Sequence, residues 1–289
     1  MQGLNIAIYA EGCMYPSATY PVSETIGVVQ QSGFTTVILS LFHIGRDYDV
    51  SPLQRLGDLY FNTTLVFSQG EYVGDAAWPS LIASLPSGSV AKVCASIGGG
   101  GVMDFQTLKK IYEANGNSFE QTNLAANLAA LRRYLPAISI IDLDCEETYD
   151  SPSFIAFCQL LASIGFGITF CPYIKATFWT GALAALNASN PGALKWFNLQ
   201  CYDGGGENQP GPWAAAIKQA CPSFPTDGFL ITGDWTEDSP QQVGQLMARC
   251  RQDPSVGGGF LWTLDSLING QNDGLVKQYA DAIAGISYR

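Results

Sequence analysis

The sequence predicts an α/β fold, a single (β/α)8 TIM barrel over residues 1–289 with no inserted α+β domain. Three observations predict it. The length of 289 residues with 47% hydrophobic content suits one barrel-sized core. Short β-branched or aromatic runs alternate with longer amphipathic stretches from end to end. Eight such runs occur, the number a closed parallel barrel needs.

The strand candidates are Leu4 to Ala10, Thr36 to Phe42, Ala91 to Ile97, Ile138 to Asp144, Ile168 to Cys171, Phe197 to Tyr202, Gly228 to Thr232 and Gly258 to Thr263. Several are almost continuously apolar, as parallel strands covered on both faces require. Ser23 before Glu24, Ser151-Pro152 and Ser239-Pro240 each offer a capping hydroxyl at an expected helix start. Short connections are expected throughout, because the glycine clusters sit at strand ends and none forms a linker.

Charge narrows the partners. Twenty-five acids against 14 bases give a formal charge of −11, which repels phosphate backbones and anionic lipid. Neither nucleic acid nor a membrane is expected as a partner; a neutral polymer is compatible. No apolar run approaches the roughly 18 residues of a membrane span, and Met1 to Gly12 lack a signal-peptide pattern. Cys94, Cys145, Cys171 and Cys201 fall in expected strands and are expected as buried thiols, while Cys221 and Cys250 flank helices and are candidates to pair. The single histidine, His43, excludes multi-histidine metal sites, and no cofactor motif is present.

In a barrel of this kind the loops after the strands build the site, so functional residues belong at the carboxyl ends of the eight runs. The fourth run ends in Ile141-Asp142-Leu143-Asp144-Cys145-Glu146-Glu147. Asp142, Asp144 and Glu146 alternate, so they share one face at steps of roughly 6 to 7 Å. Three carboxylates so close retain at least one proton near neutrality, and a retained proton is what a general acid needs. A solvated acidic strand end and a divalent-metal site are the bland alternatives. The third run continues into Gly98-Gly99-Gly100-Gly101 without the Lys-Ser/Thr of a P-loop; the sixth ends Gln200-Cys201-Tyr202-Asp203; the eighth carries Trp262.

In this order the motifs resemble glycoside hydrolase family 18. Ser96-Ile97-Gly98-Gly99 matches its strand-three S-x-G-G, and Asp142, Asp144 and Glu146 match the last three acids of its strand-four D-x-x-D-x-D-x-E. Ile6-Ala7-Ile8-Tyr9, Gln200-x-Tyr202 and Gly258-Gly259-Phe260-Leu261-Trp262 look closest to the compact plant and fungal class III chitinases. The resemblance implies substrate-assisted, retaining and endo-acting cleavage of β-1,4-linked N-acetylglucosamine, a case outside the two-carboxylate scheme. Glu146 would be the general acid, Asp144 would hold the acetamido N–H, Tyr202 its oxygen, and Asp142 would share a proton or hydrogen bond with Asp144. Tyr9, Gly98, Gly99, Gln200, Asp203 and Trp262 would bind substrate, with Trp262 as an apolar floor. Chitin or another N-acetylglucosamine glycan is the implied partner, and a secreted monomer without cofactor is expected.

Departures from the pattern are Ser139 at the first acidic position, Asp203-Gly204-Gly205-Gly206, and Gly233-Asp234-Trp235, where Trp235 is either a platform for sugar or a packed aromatic. His43 is expected to be structural or to contact substrate. Rival readings are an endo-β-N-acetylglucosaminidase acting on N-glycans or peptidoglycan, a catalytically silent chitinase-like carbohydrate-binding protein, and a metal-dependent hydrolase.

Overall fold

The computed structural model describes residues 3–45, 55–268 and 273–286. Strand β1 (Asn5–Ala10) leads through helix α1 (Val22–Ser32) into β2 (Thr36–Ile44). Next come three short strands, β3 (Leu59–Phe61), β4 (Thr64–Ser68) and β5 (Glu71–Tyr72), then α2 (Trp78–Ser84) and β6 (Lys92–Gly98). Two helices, α3 (Asp104–Ala114) and α4 (Asn123–Tyr134), precede β7 (Ile138–Asp144). Strict alternation follows: α5 (Ser151–Ile164), β8 (Gly167–Phe170), α6 (Ala176–Ser189), β9 (Leu194–Gln200), α7 (Pro210–Ala220), β10 (Leu230–Trp235), α8 (Pro240–Cys250), β11 (Val256–Trp262) and α9 (Asp273–Ala284).

Strands β1, β2, β6, β7, β8, β9, β10 and β11 pair in parallel in that order, and β11 returns to β1 from Asn5↔Gly258 to Ile8↔Leu261. The sheet is therefore a closed (β/α)8 barrel, and each of the eight expected runs lies on one of its strands. Only four residues separate Trp235 from Pro240, leaving no room there for an inserted domain.

Alternation along each strand divides the core into two shells. Ala7, Tyr9, Ile38, Cys94, Ile140, Cys171, Trp196, Ile231 and Phe260 fill the lumen. Their sequence neighbours, such as Ile8, Val37, Ile141, Leu143 and Phe197, face the helices. Each buried Leu, Ile or Phe of the outer shell contributes about 2 kcal/mol of apolar transfer free energy.

The expectation of short connections fails between β2 and β6. There β3 pairs antiparallel with the end of β2, and β4 and β5 extend the excursion. Its turns place Asn62 (φ 51°), Gln69 (φ 54°) and Gly70 (φ 77°) in the left-handed region. Helix α4 holds it by two side chains one turn apart. Asn127 accepts from Gly70 N–H at 2.8 Å and donates to Gly57 C=O at 2.8 Å, and Asn123 accepts from Gln69 N–H at 3.0 Å. At the outer edge, the Glu71 carboxylate meets Arg133 at 3.3 Å and Tyr134 Oη at 2.5 Å.

Helix starts agree in part. Ser239 makes a full capping box with Gln242. Asp150 caps α5 by accepting from Ser153 N–H, so Ser151 is already inside that helix, and α1 begins at Val22 behind Pro21, so Ser23 lies inside it too. All eight cysteines are free thiols. Cys221 and Cys250 do not pair: Cys221 lies by the Asn187 amide, whereas the Cys250 thiol meets Cys201 and Thr232.

The closing seam between β1 and β11 depends on the absence of a side chain at Gly258, where a Cβ would overlap the Asn5 carbonyl. Gly258→Ala is therefore expected to lose about 3 kcal/mol of stability in urea unfolding. Wild-type stability in that variant would contradict the close approach of these two strands.

Candidate active site

Strand β7 delivers the carboxylates. Ile140, Asp142 and Asp144 lie on its lumen side, and Asp142, at 0% exposure, sits at the centre of the barrel. A bare buried carboxylate would cost several kcal/mol, and the surrounding strands supply donors. Asp142 takes Tyr9 Oη from β1 at 2.9 Å, Ser96 Oγ from β6 at 2.8 Å, Thr169 Oγ1 from β8 at 2.6 Å and Asn198 Nδ2 from β9 at 2.9 Å. Trp196 Nε1–H donates to Asn198 Oδ1 at 2.9 Å, which turns the amide nitrogen toward Asp142. Burial pushes the Asp142 carboxyl up, and hydrogen bonds from Thr169, Ser96, Tyr9 and Asn198 oppose that.

One step toward the mouth, Asp144 is also buried. Burial, followed by the charges of Glu146 and Asp142, raises its pKa well above 3.8. Glu146 lies beyond the strand end, half-buried, and is raised mainly by burial, with Glu147 and Asp203 adding to the rise. Gln200 from β9 bridges the two, its Nε2 donating to Asp144 Oδ1 at 3.1 Å and to Glu146 Oε1 at 3.2 Å. Asp144 and Glu146 thus hold a proton in common, and their apparent pKa values belong to the pair. The four hydrogen bonds to Asp142 come from Tyr9, Ser96, Thr169 and Asn198, and Asp144 meets it through charge, so Asp142 is a fixed anchor beneath the pair. Gly98, at φ 117°, makes this possible: a Cβ there would overlap the Asp144 carbonyl oxygen, to which Gly99 N–H donates at 2.8 Å.

Above the pair opens a cleft of ≈ 400 Å³, within the range of small-ligand sites. Asp144, Glu146, Gln200, Tyr202, Asp203, Gly99 and Trp262 all line it, as do Trp235, Tyr173, Leu41, Gly100 and Gly204, which carry no expected catalytic role. Trp235 stacks on Tyr202, with ring centroids 5.6 Å apart and an interplanar angle of 30°. Trp262 leans on Tyr9 at 5.4 Å. Burial first, then Cys171, Asp144 and Glu146, pushes the Tyr202 phenol up, so it remains an O–H donor. Tyr9 is only 1% exposed and lies under the cleft floor, bonded to Asp142. Gly98 is backbone support below the lining. His43 stands apart at the end of β2, with its Nδ1 2.8 Å from Asp104 Oδ2, a structural contact at the start of α3.

A larger hollow of ≈ 780 Å³ between α8 and α9 is lined by residues such as Gln241, Gln245 and Gln278, with no ionisable side chain, whereas Asp144, Glu146 and Asp203 line the cleft at the barrel mouth. Among the described residues, no group of three or more His, Cys, Asp or Glu is arranged to hold a metal ion. The residues missed in the sequence, Thr169 and Asn198, each lie two positions before a lumen residue, Cys171 and Gln200. The period-two rule that found the carboxylates would have placed them on the same face.

No protein-family model and no curated protein sequence matches the chain. Its fold is similar to solved structures. The catalytic domain of a family GH18 chitinase from the fern Peteris ryukyuensis is 13% identical with a TM-score of 0.58, covering 96% of this chain and 99% of that one. Active domain 2 of a thermostable chitinase from Pyrococcus furiosus, solved as catalytic site mutants complexed with chito-oligosaccharides, is 10% identical with a TM-score of 0.63, covering 99% and 96%. Tryptophan synthase from M. tuberculosis is 8% identical with a TM-score of 0.52, covering 97% and 92%. At these identities the likeness is one of fold, and a barrel hosts many chemistries.

The raised carboxyl of Asp144 sets a pH dependence of stability. Its folded pKa lies above the unfolded value, so the native state binds more protons in that interval and stability falls as pH rises from about 4 through the folded pKa. Asp144→Asn, close in shape and uncharged, is expected to flatten that fall and to be the more stable of the two at the upper end of the range. Thermal unfolding of both proteins across pH 4 to 8 measures it, and parallel curves would refute the assignment.

Proposed function

We propose that the chain is an endo-acting glycoside hydrolase of the family 18 kind, cleaving β-1,4-linked N-acetylglucosamine polymers such as chitin. The observation that carries this reading is the proton-sharing pair Asp144 and Glu146, bridged by Gln200 and set above the anchored Asp142 on a cleft with two tryptophans. Its sequence motifs and its fold point the same way.

On this reading Glu146 gives its proton to the glycosidic oxygen and the leaving sugar departs as an alcohol. The 2-acetamido oxygen of the retained sugar attacks its own anomeric carbon and closes an oxazolinium ring. Asp144 accepts a hydrogen bond from the amide N–H and stabilises the positive charge, while Tyr202 O–H donates to the acetamido oxygen and holds it in line. Glu146, now a carboxylate, takes a proton from water, which opens the ring on the face the alcohol left, so the anomeric configuration is retained. Trp262 and Trp235 offer apolar faces to pyranose rings, and Asp203 stands at the rim. The short β10–α8 connection leaves the cleft open along the mouth, which favours binding within a chain over threading from its end. We place the protein outside the cell as a monomer, where polymeric glycan is accessible.

A binding-only role is disfavoured, because the lining keeps both the proton donor and the aspartate beside it. An N-glycan core presents the same acetamido group, and the products decide between the substrates. Wild-type protein is expected to release β-anomeric oligosaccharides from chitin, and Glu146→Gln to lower kcat about a thousandfold with little change in KM. Excess chelator is expected to leave the rate unchanged. Absence of cleavage of chitin oligosaccharides, high-mannose glycopeptides and cell-wall glycan alike would defeat the proposal.

A further inference from the structure

Next to the proton donor stands a second glutamate that the reaction above leaves idle. Glu147 Oε1 accepts the backbone N–H of Gly101. That bond ties the loop after β6 to the loop after β7, the one that carries Glu146. Between the tie and the end of β6 lies Gly100, part of the cleft lining, where a Cβ would stand 3.0 Å from Glu146 Oε2. The backbone at Gly100 is thus the side wall against which the acid rests. This wall is made of glycine, the least constrained of residues, with Gly99 at φ 103° and Gly101 at φ 75°. A charge-assisted bond from a carboxylate is the strongest restraint a lone backbone N–H can receive.

We propose that Glu147 is a positioning residue, a latch between the two loops and a fixed negative neighbour, that holds Glu146 against the glycine wall in line with the bond to be cleaved. This rests on the hydrolase reading for its purpose and on geometry for its substance. Glu146 is faced by Asp144 from β7, Asp203 from the loop after β9 and Glu147 from its own loop. The phenols of Tyr149, Tyr173 and Tyr202 and the thiols of Cys145 and Cys171 complete its surroundings. Of the three carboxylates, Asp144 belongs to the proton-sharing pair and Asp203 stands exposed on the opposite lip. Glu147 alone joins charge to a mechanical tie.

The test compares Glu147→Gln, which keeps an acceptor oxygen and loses the charge, with Glu147→Ala, which loses both. Protein with carboxyl-carbon-labelled glutamate, with the Glu146 signal assigned through Glu146→Gln, reports the Glu146 titration by NMR independently of turnover. In both variants the Glu146 midpoint is expected to fall by roughly half a pH unit, because a neighbouring negative charge is gone. Exchange of the Gly101 amide is expected to remain slow in the Gln variant and to quicken about tenfold or more in the Ala variant. The basic limb of kcat/KM on chitin oligosaccharides should follow the midpoint to lower pH in both. In the Ala variant alone, kcat at the optimum should drop about fivefold with KM nearly constant. Unchanged midpoints together with unchanged Gly101 exchange would overturn the latch, even if hydrolysis proceeds normally. Both shifts in a protein that cleaves none of the glycans would uphold the latch and defeat the hydrolase reading.

Discussion

A carboxylate at the centre of a barrel is tolerable only where donors surround it, and Asp142 collects four, from β1, β6, β8 and β9. With its own strand β7, five of the eight barrel strands meet at one side chain. Their register at the mouth is therefore fixed relative to one another by short polar contacts as well as by the apolar lumen below. Because those four contacts occupy Asp142, the two carboxyls above it, Asp144 and Glu146, share Gln200 and a proton between themselves. The anchor thus separates the three acids into one that holds the frame and two that can exchange a proton.

The same arrangement sets stability against chemistry. A carboxyl whose pKa is raised by burial and by neighbouring charge weakens the native state as pH climbs through that pKa, because the unfolded chain ionises first. Closed strand pairing and the two-shell apolar core hold the barrel together around it. Aromatic contacts then fix what the carboxyls face: Trp235 against Tyr202, Phe260 edge-on to Tyr202 at 6.1 Å, and Trp262 against Tyr9.

The barrel strands were legible in the sequence because parallel strands covered on both faces write themselves as continuous apolar runs. The acids were legible because a period of two places every second residue on one face. The excursion β3 to β5 was not, since strands of three, five and two residues carry too little pattern, and its turns use Asn62 and Gln69, whose left-handed backbones no local motif announces. Tyr9 was expected in the wall and lies beneath the floor, because a tyrosine pointing into the lumen shows nothing in sequence of how deep its ring sits. Thr169 and Asn198 went unnoticed because isolated polar residues in apolar strands acquire meaning only once Asp142 lies between them. The cysteines followed the same logic: Cys221 and Cys250, candidates to pair from their flanking positions, meet different partners, the Asn187 amide for one and Cys201 with Thr232 for the other.

A closed barrel has no free sheet margin, but the side excursion reintroduces one at β5. That margin is two residues long, its glutamate already engaged by Arg133 and Tyr134 of α4. Such a stub offers an incoming chain almost no run of unpaired backbone groups to copy, and it presents charge where a growing cross-β stack needs neutral surface. The fold can therefore carry an added ribbon beside its working face without acquiring a template for self-association.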